Sequence, residues 1–158
     1  MDLAYYWEGC SMVDDTDQQI LRILLTDSRI SLKDLAQQVG LSSPSVAERL
    51  RRLDERGVIR AFTIEINPQA LGYQLQAIVR IRAFPGKLLL VKKLIEEIPE
   101  IVECDKVTGD DCFVARLFVQ SIEQLDQILD RITEKAETST AIVKAQTVKR
   151  RPPPFVVA

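Results

Sequence analysis

The sequence predicts an α+β chain built from two small domains. An N-terminal winged-type helix-turn-helix domain precedes a βαββαβ domain of the ferredoxin-like kind. Three observations carry this. From Ile30 to Ile59 apolar residues recur at helical spacing between well-placed serines and glycines. At Phe62 the period changes to two. Beyond Gly72 the pattern reads strand, helix, strand, strand, helix, strand. A chain of 158 residues accommodates two such domains. The boundaries fall at residues 1–12 for a flexible N-terminal extension, 13–60 for the helix-turn-helix, 61–73 for a linker strand and turn, 74–149 for the second domain, and 150–158 for a basic, proline-rich tail.

Ser31 opens the first helix of the pair as a cap, with Asp34 in the carboxylate position of a capping box. Leu32, Leu35, Ala36 and Val39 form its apolar face. Gly40 ends it, because glycine accepts the left-handed backbone of a helix terminus. Ser43 and Pro44 restart the chain as cap and first helical residue, and the second helix runs to Gly57. Val46, Leu50 and Leu53 share its inner side, while Ser45, Glu48, Arg49 and Arg52 fall on the outer side with Arg56 at its edge. Short polar residues followed by arginines suit a helix that reads base edges and grips phosphates in a major groove. The competing reading of those charges is a solvated face with ordinary salt bridges. The turn at Gly40-Leu41 favours the first. The candidate DNA-binding residues are Ser31, Ser42, Ser43, Ser45, Glu48, Arg49, Arg52 and Arg56.

Phe62, Ile64 and Ile66 alternate with Thr63 and Glu65, which predicts a strand paired with something outside the domain, such as its copy in a second subunit. Asn67-Pro68 breaks it. Residues 77–82 read as the first strand of the second domain. Pro85-Gly86 leads into a helix with Leu88, Val91, Leu94, Ile95 and Ile98. Residues 101–107 and 113–119 form a hairpin around Gly109-Asp110-Asp111. Ser121 and Gln124 cap a helix with Ile122, Leu125, Ile128, Leu129 and Ile132 inside, and residues 142–148 make the last strand. One sheet face is left bare, and pairing two sheets across a two-fold axis would cover it.

Composition narrows the function. Net charge is −2, and Val13 to Phe62 holds eight basic and eight acidic residues, so positive potential must come from where the arginines point. A weakly binding monomer that gains affinity as a dimer follows. The chain has no histidine and three cysteines without a CxxC pair, so no catalytic constellation and no metal site is expected. Reduced thiols point to a cytoplasmic protein. No segment is apolar enough to span a bilayer, and residues 1–11, acidic and without an apolar run, are not a signal peptide. They read as an extension, a cloning remnant or an early start-site assignment; Tyr5-Tyr6-Trp7 could also pack on a partner.

Several stretches together resemble the DNA-binding domain of the leucine-responsive/AsnC (Lrp/AsnC) family of prokaryotic transcription regulators. They are Asp14-Asp15-Thr16-Asp17 before Ile20-Leu21, Asp27-Ser28-Arg29-Ile30-Ser31, Asp34-Leu35-Ala36, Val39-Gly40-Leu41-Ser42, Val46, Arg49-Leu50, Arg52-Leu53 and Gly57-Val58-Ile59. The second half is similar to the same family's effector domain, the RAM domain, related in fold to ACT domains. The resemblance spans about residues 13–149. It implies a transcription regulator of the cytoplasm and nucleoid, not an enzyme, acting on double-stranded DNA. It implies homodimers that build into higher assemblies such as octamers, no cofactor, and a small amino-acid effector of unknown identity bound between subunits. The implied effector site is the hairpin Thr108, Gly109, Asp110, Asp111 and Cys112, with Thr138 and Thr140 near the last strand.

At Cys112 the family pattern commonly has an aspartate that receives the ligand's ammonium, and a neutral thiol cannot replace it. Three readings stay open: Asp110 or Asp111 substitutes, the ligand is not an ordinary amino acid, or the domain only assembles subunits. The Gly-Asp-Asp run is equally explained as a plain turn. Alternatives for the whole chain are a ligand-independent DNA-organising regulator, an ACT-like amino-acid-sensing module, and an RNA-binding sheet. The last needs exposed stacking aromatics, and the five-residue spacing of Phe113 and Phe118 sends them to opposite faces.

Overall fold

The computed structural model describes residues 13–155; the expectations for residues 1–12 and for the last three residues of the tail lie outside it. The chain divides into two units. The first runs to Ile64 and also takes in the tail from Arg151; the second runs from Glu65 to Arg150.

Among the described residues the first unit contains three helices: α1 (Asp15–Thr26), α2 (Leu32–Gln38) and α3 (Ser43–Glu55). Each begins at a side-chain cap. Asp14 accepts from the Asp17 amide, Ser31 from Asp34 and Ser42 from Ser45. The cap of α3 is therefore Ser42, one residue before the expected Ser43, and Pro44 sits in the first turn, where its missing N–H costs nothing. At α2 the Asp34 carboxylate accepts from the Ser31 hydroxyl at 2.6 Å.

Helices α2 and α3 end alike. The Leu41 amide donates to the Ala36 carbonyl (3.0 Å) and the Gly40 amide to Gln37; Val58 donates to Leu53 (2.9 Å) and Gly57 to Asp54. These are paired Schellman closures, and Gly40 has φ +68° as the motif demands. Ile20, Leu35, Ala36, Val46 and Leu53 form the core of this unit, with Leu41, Leu50 and Val58 packed against it. The turn thus fixes where α3 starts and which side of it faces inward.

The stretch Phe62–Ile66, expected to pair with a second copy, runs without a partner inside its own chain. Residues 60–67 have no ladder partner among the described residues, and Phe62, Ile64 and Ile66 are all more than half exposed. A strand exists only through hydrogen bonds to a neighbour, and the neighbour expected here is a second copy. A short 3₁₀ turn (Pro68–Leu71) follows.

The second unit is β1 (Leu75–Ala83), α4 (Leu88–Glu96), β2 (Ile101–Lys106), β3 (Phe113–Val119), α5 (Ile122–Thr133) and β4 (Ala136–Ile142). The four strands form one antiparallel sheet in the order β2-β3-β1-β4. Ala77, Val79 and Ile81 of β1 and Phe113, Ala115, Leu117 and Val119 of β3 point to one side, where Val91, Ile95 and Ile98 and Leu125, Ile128 and Ile132 cover them. On the other side Ile78, Val114 and Phe118 remain half-buried beside Arg80 and Arg116. Phe113 and Phe118 do face opposite ways, which leaves no stacking platform.

The last strand is displaced from the expected 142–148. After α5 the Lys135 amide closes on the Ile132 carbonyl, and the chain enters β4 at once. The strand is polar, Glu137-Thr138-Ser139-Thr140, because it lies at a sheet edge where one side meets water. The apolar residues after it had suggested a later start.

Gly40 tests the closure. A Cβ built there meets nothing within 4 Å, so Gly40→Ala should cost only backbone energy, about 1–2 kcal/mol. Urea denaturation of the first unit should show it. An unchanged midpoint would mean the left-handed turn is not under constraint.

Candidate nucleic-acid interface and effector site

Helix α3 carries both an internal clamp and an outward charge cluster. Arg49, expected on the outer side, instead turns toward α1. Its Nη1 donates to Asp14 Oδ2 at 2.6 Å and to Asp17 Oδ1 at 2.7 Å. The Arg49 side chain is 27% exposed and that of Asp17 only 8%. Position 49 is one helical turn beyond Ser45 but shares an edge with Val46 and Leu53, so a long side chain there reaches the neighbouring helix. The guanidinium holds the Asp14 carboxyl below its ordinary value, through the hydrogen bond first and the cap amide of Asp17 second. The carboxylates in turn raise Arg49.

Outward, Glu48 sits between two arginines. Its carboxylate accepts Arg51 Nε at 2.9 Å and Nη2 at 2.7 Å, and lies 3.4 Å from Arg52 Nε. Arg51 also pairs with Glu55. The Arg51 hydrogen bond is the main reason the Glu48 carboxyl is held below the usual carboxylate range. Arg51, absent from the sequence-derived candidates, is exposed and central to this cluster; its three- and four-residue spacing to Glu48 and Glu55 was a readable signal. Ser45 and Arg56 are exposed, Ser43 is half-buried at the first helical turn, and Ser42 and Ser31 are exposed caps. The Ser42 and Ser45 hydroxyls lie 2.8 Å apart. The arrangement places Ser45, Glu48, Arg51 and Arg52 along one accessible stretch of α3, with the arginines tied by exposed pairs worth little in water. Phosphates can displace such pairs.

In the second unit the hairpin is pinned to β1. The Cys112 amide donates to the Ile81 carbonyl (2.9 Å), and the Val107 amide donates to the Cys112 carbonyl (3.1 Å). Arg82 Nε donates to the Asp110 carbonyl at 3.1 Å, while its Nη atoms lie 4.0 Å from the Asp110 carboxylate and 3.6 Å from Glu137. Gly109, at φ +110°, makes the turn possible. Asp110 is 94% exposed at its side chain. Thr108 is exposed too, and Asp111 and Cys112 are half-buried. Thr138 and Thr140 pair with Ile81 and Val79 across β1. One strand therefore separates them from β3, a spacing of about 9–10 Å over two ladders. Within one chain the hairpin and the threonines do not converge.

A cavity of about 450 Å³ adjoins the hairpin base instead. Leu88, Leu89 and Ile95 of α4, Cys104 of β2 and Phe113 of β3 give it apolar walls, and Lys92, Glu96 and Lys106 bring charges of both signs to it. Lys92 and Glu96 are 3.5 Å apart. Burial, with Asp105 beside it, pushes the Cys104 thiol up, so it stays neutral. None of the effector residues expected from the sequence lines this space. Among the described residues no cluster of His, Cys, Asp or Glu suits a metal ion, and no helix is long and apolar enough to cross a membrane.

Comparison with known proteins decides the family. Residues 13–60 match the winged helix-turn-helix DNA-binding model, and residues 76–153 match the Lrp/AsnC ligand binding domain. The chain belongs to the Lrp/AsnC family. The HTH-type transcriptional regulator FL11 of Pyrococcus furiosus is 36% identical over 77% of this chain and 80% of its own. The solved structure of Bacillus subtilis LrpC superposes with a TM-score of 0.83 at 27% identity, covering 89% of this chain and 100% of that one. The feast or famine regulatory protein from Mycobacterium tuberculosis, in complex with L-methionine, gives 0.79 at 32% identity over 89% and 98%. The present Lrp/AsnC chain is a DNA-binding transcriptional regulator of this type, and α3 lies inside the matched DNA-binding region.

Two outcomes test the clamp. Arg49→Ala leaves Asp17 buried without its partner and should destabilise the first unit by about 1–3 kcal/mol, seen as a lower thermal midpoint. Asp14 has a lowered native value, so its contribution is complete above the ordinary aspartate value near 3.8 and is lost as pH falls through the lower native one. An acid titration followed by circular dichroism should be shallower in Asp14→Asn than in the parent protein. Equal slopes would assign the acid loss to other carboxylates.

Proposed function

We propose that this protein reads duplex DNA through α3 as a homodimer or larger assembly, and that an amino acid bound beside the 107–112 hairpin shifts that assembly. The observation that carries the first part is the exposed run Ser45, Glu48, Arg51 and Arg52 on a helix whose inner side is fixed by the Arg49 clamp. Ser45 and Glu48, nearer the helix start, suit base edges; a glutamate accepts from the cytosine amino group. Arg51, Arg52 and Arg56 suit phosphates or guanine. Ser31, Ser42 and Ser43 contribute chiefly through their caps and backbone amides.

The first unit is electrically neutral from Val13 to Phe62, so one copy binds weakly. Two recognition helices in successive grooves raise affinity by linkage. The open sheet side, with Ile78, Val114 and Phe118, and the apolar run Phe62, Ile64 and Ile66 support self-association. These are surfaces that a second copy would remove from water.

The effector reading rests on the cavity. Apolar walls with Lys92, Lys106 and Glu96 at hand complement a zwitterion carrying an apolar side chain: lysines for the carboxylate, glutamate for the ammonium. The methionine-bound relative supports that ligand class. Cys112 removes a carboxylate from the hairpin, and Glu96 offers another. A bound ligand changes assembly only through unequal affinity for the two states.

Arg52→Ala should flatten the salt dependence of DNA binding by about one unit if it holds a phosphate. If it reads a guanine, the loss should be confined to particular sequences and amount to about 1–3 kcal/mol. No change in either assay removes it from the interface. Light scattering with each common amino acid added in turn tests the effector. A mass shift with L-methionine or another apolar amino acid that Glu96→Gln abolishes supports the cavity. A shift that survives Glu96→Gln but is lost in Asp110→Ala or Asp111→Ala returns the ammonium to the hairpin. No shift with any amino acid favours a ligand-independent, DNA-organising regulator.

A further inference from the structure

The tail carries a charge pattern that α3 does not use. Lys149, Arg150 and Arg151 are consecutive and exposed, and three prolines and Phe155 follow. From Arg151 onward the described tail belongs to the first unit, although the strand that leads to it lies in the second. Phe155 is half-buried. The Arg22 guanidinium of α1 lies over its ring, 5.1 Å from the centroid, within cation–π range. Arg22 is itself held on α1, donating from Nη2 to Gln18 Oε1 at 3.1 Å. The aromatic side chain is thus seated on a positioned group.

The three prolines make the intervening segment stiff. Each has a fixed φ, and extended polyproline geometry advances about 3.1 Å per residue, so Arg151 stays within about 12 Å of the Phe155 anchor. No acidic side chain among the described residues pairs with Lys149, Arg150 or Arg151. This differs from α3, where Glu48 and Glu55 engage the arginines. Residues 149–155 hold three cations and no acid, whereas residues 13–62 hold eight cations and eight acids. A cationic cluster without internal counter-charges, tethered to a duplex-binding unit, finds its complement in the phosphate backbone.

We propose that the C-terminal tail is a second DNA-backbone contact, in which Phe155 seated against Arg22 holds Lys149, Arg150 and Arg151 where they pair with duplex phosphates. This rests on the DNA-binding reading but adds a segment outside the helix-turn-helix. Its contribution is sequence-independent, because phosphate contacts position a protein without reading bases.

The test uses the full chain, a fluorescently labelled duplex of mixed sequence and anisotropy titrations over a range of KCl concentrations. Replacing all three cations (Lys149→Gln, Arg150→Gln, Arg151→Gln) should lower the salt slope by about 0.9 unit for each phosphate that is no longer neutralised, up to nearly three per protomer. Phe155→Ala keeps every charge yet should reproduce part of that decrease, and Phe155→Trp should restore the parent slope. A slope unchanged in the triple variant overturns the tail interaction while leaving α3 intact. A slope lowered in the triple variant but unchanged in Phe155→Ala overturns the anchored site and leaves a free cationic tail. A parent protein that binds no duplex at low salt overturns the DNA-binding reading, and the tail interaction with it. Thermal melts of each variant separate weakened DNA binding from loss of fold; where Phe155→Ala lowers the melt, Phe155→Leu, which keeps apolar bulk without the ring, takes its place.

Discussion

The orientation of α3 depends on one guanidinium. Arg49 joins α3 to the start of α1 through Asp14 and the nearly buried Asp17, and Asp14 also caps α1. The same carboxylate therefore satisfies an open helix amide and half of an interhelical ion pair. Breaking such a pair from one side leaves a charge without water or partner, which is why the pair is stronger as a constraint than as a source of stability. It fixes the rotation of α3 about its axis. With that rotation set, Val46 and Leu53 face inward and Ser45, Glu48, Arg51 and Arg52 face out. The charge available for DNA is reduced by the arginine that makes the presentation possible.

The second unit is organised by β1. It is bonded on both sides, to β3 and β4, so its alternation sets the alternation of the sheet. Ala77, Val79 and Ile81 look toward the two helices, and the partners opposite them must look the same way. The hairpin hangs from the end of this strand through the Ile81 carbonyl and the Arg82 side chain. Arg82 reaches both Asp110 and Glu137, so the hairpin and the edge strand share one cation. A ligand that drew Asp110 away would alter that sharing.

Helices were legible in the sequence because their signals are local. Ser31, Gly40 and Gly57 each act on the residues beside them, and caps, Schellman turns and a 3.6 period need no distant partner. Helix α1 carried the same kind of signal in Asp14 and Asp17, which sequence reading used only as a point of resemblance. Strand β3 was equally clear, since a doubly flanked strand is apolar on its core side throughout. The edge strand β4 was misplaced because its outer residues are polar and the apolar stretch after it looked more strand-like. Phe62, Ile64 and Ile66 alternate as a strand does, and the partner expected for them lies outside their own chain. The site shows the same division. The outward placement of Glu48 and Arg52 was legible from helical spacing, whereas the inward turn of Arg49 depends on residues 32 and 35 positions away. The cavity beside the hairpin could not be read at all, because its walls come from three elements whose packing only the fold supplies.

Charge distribution unites these features. The chain is slightly acidic overall, and its DNA-binding region is neutral, so a uniform electrostatic attraction to DNA is not available. Positive charge is instead partitioned. Arg49 is committed to the fold; Arg51 and Arg52 are held loosely by Glu48 and Glu55 near Ser45. Exposed ion pairs on a helix are worth little in water, so exchanging a glutamate for a phosphate costs little, while approach to a surface without the right phosphates gains little. On the proposed reading, such a helix would bind weakly alone and discriminate well once several copies act together. On the same proposed reading, an effector that alters the number of copies would alter DNA occupancy steeply without having to touch α3.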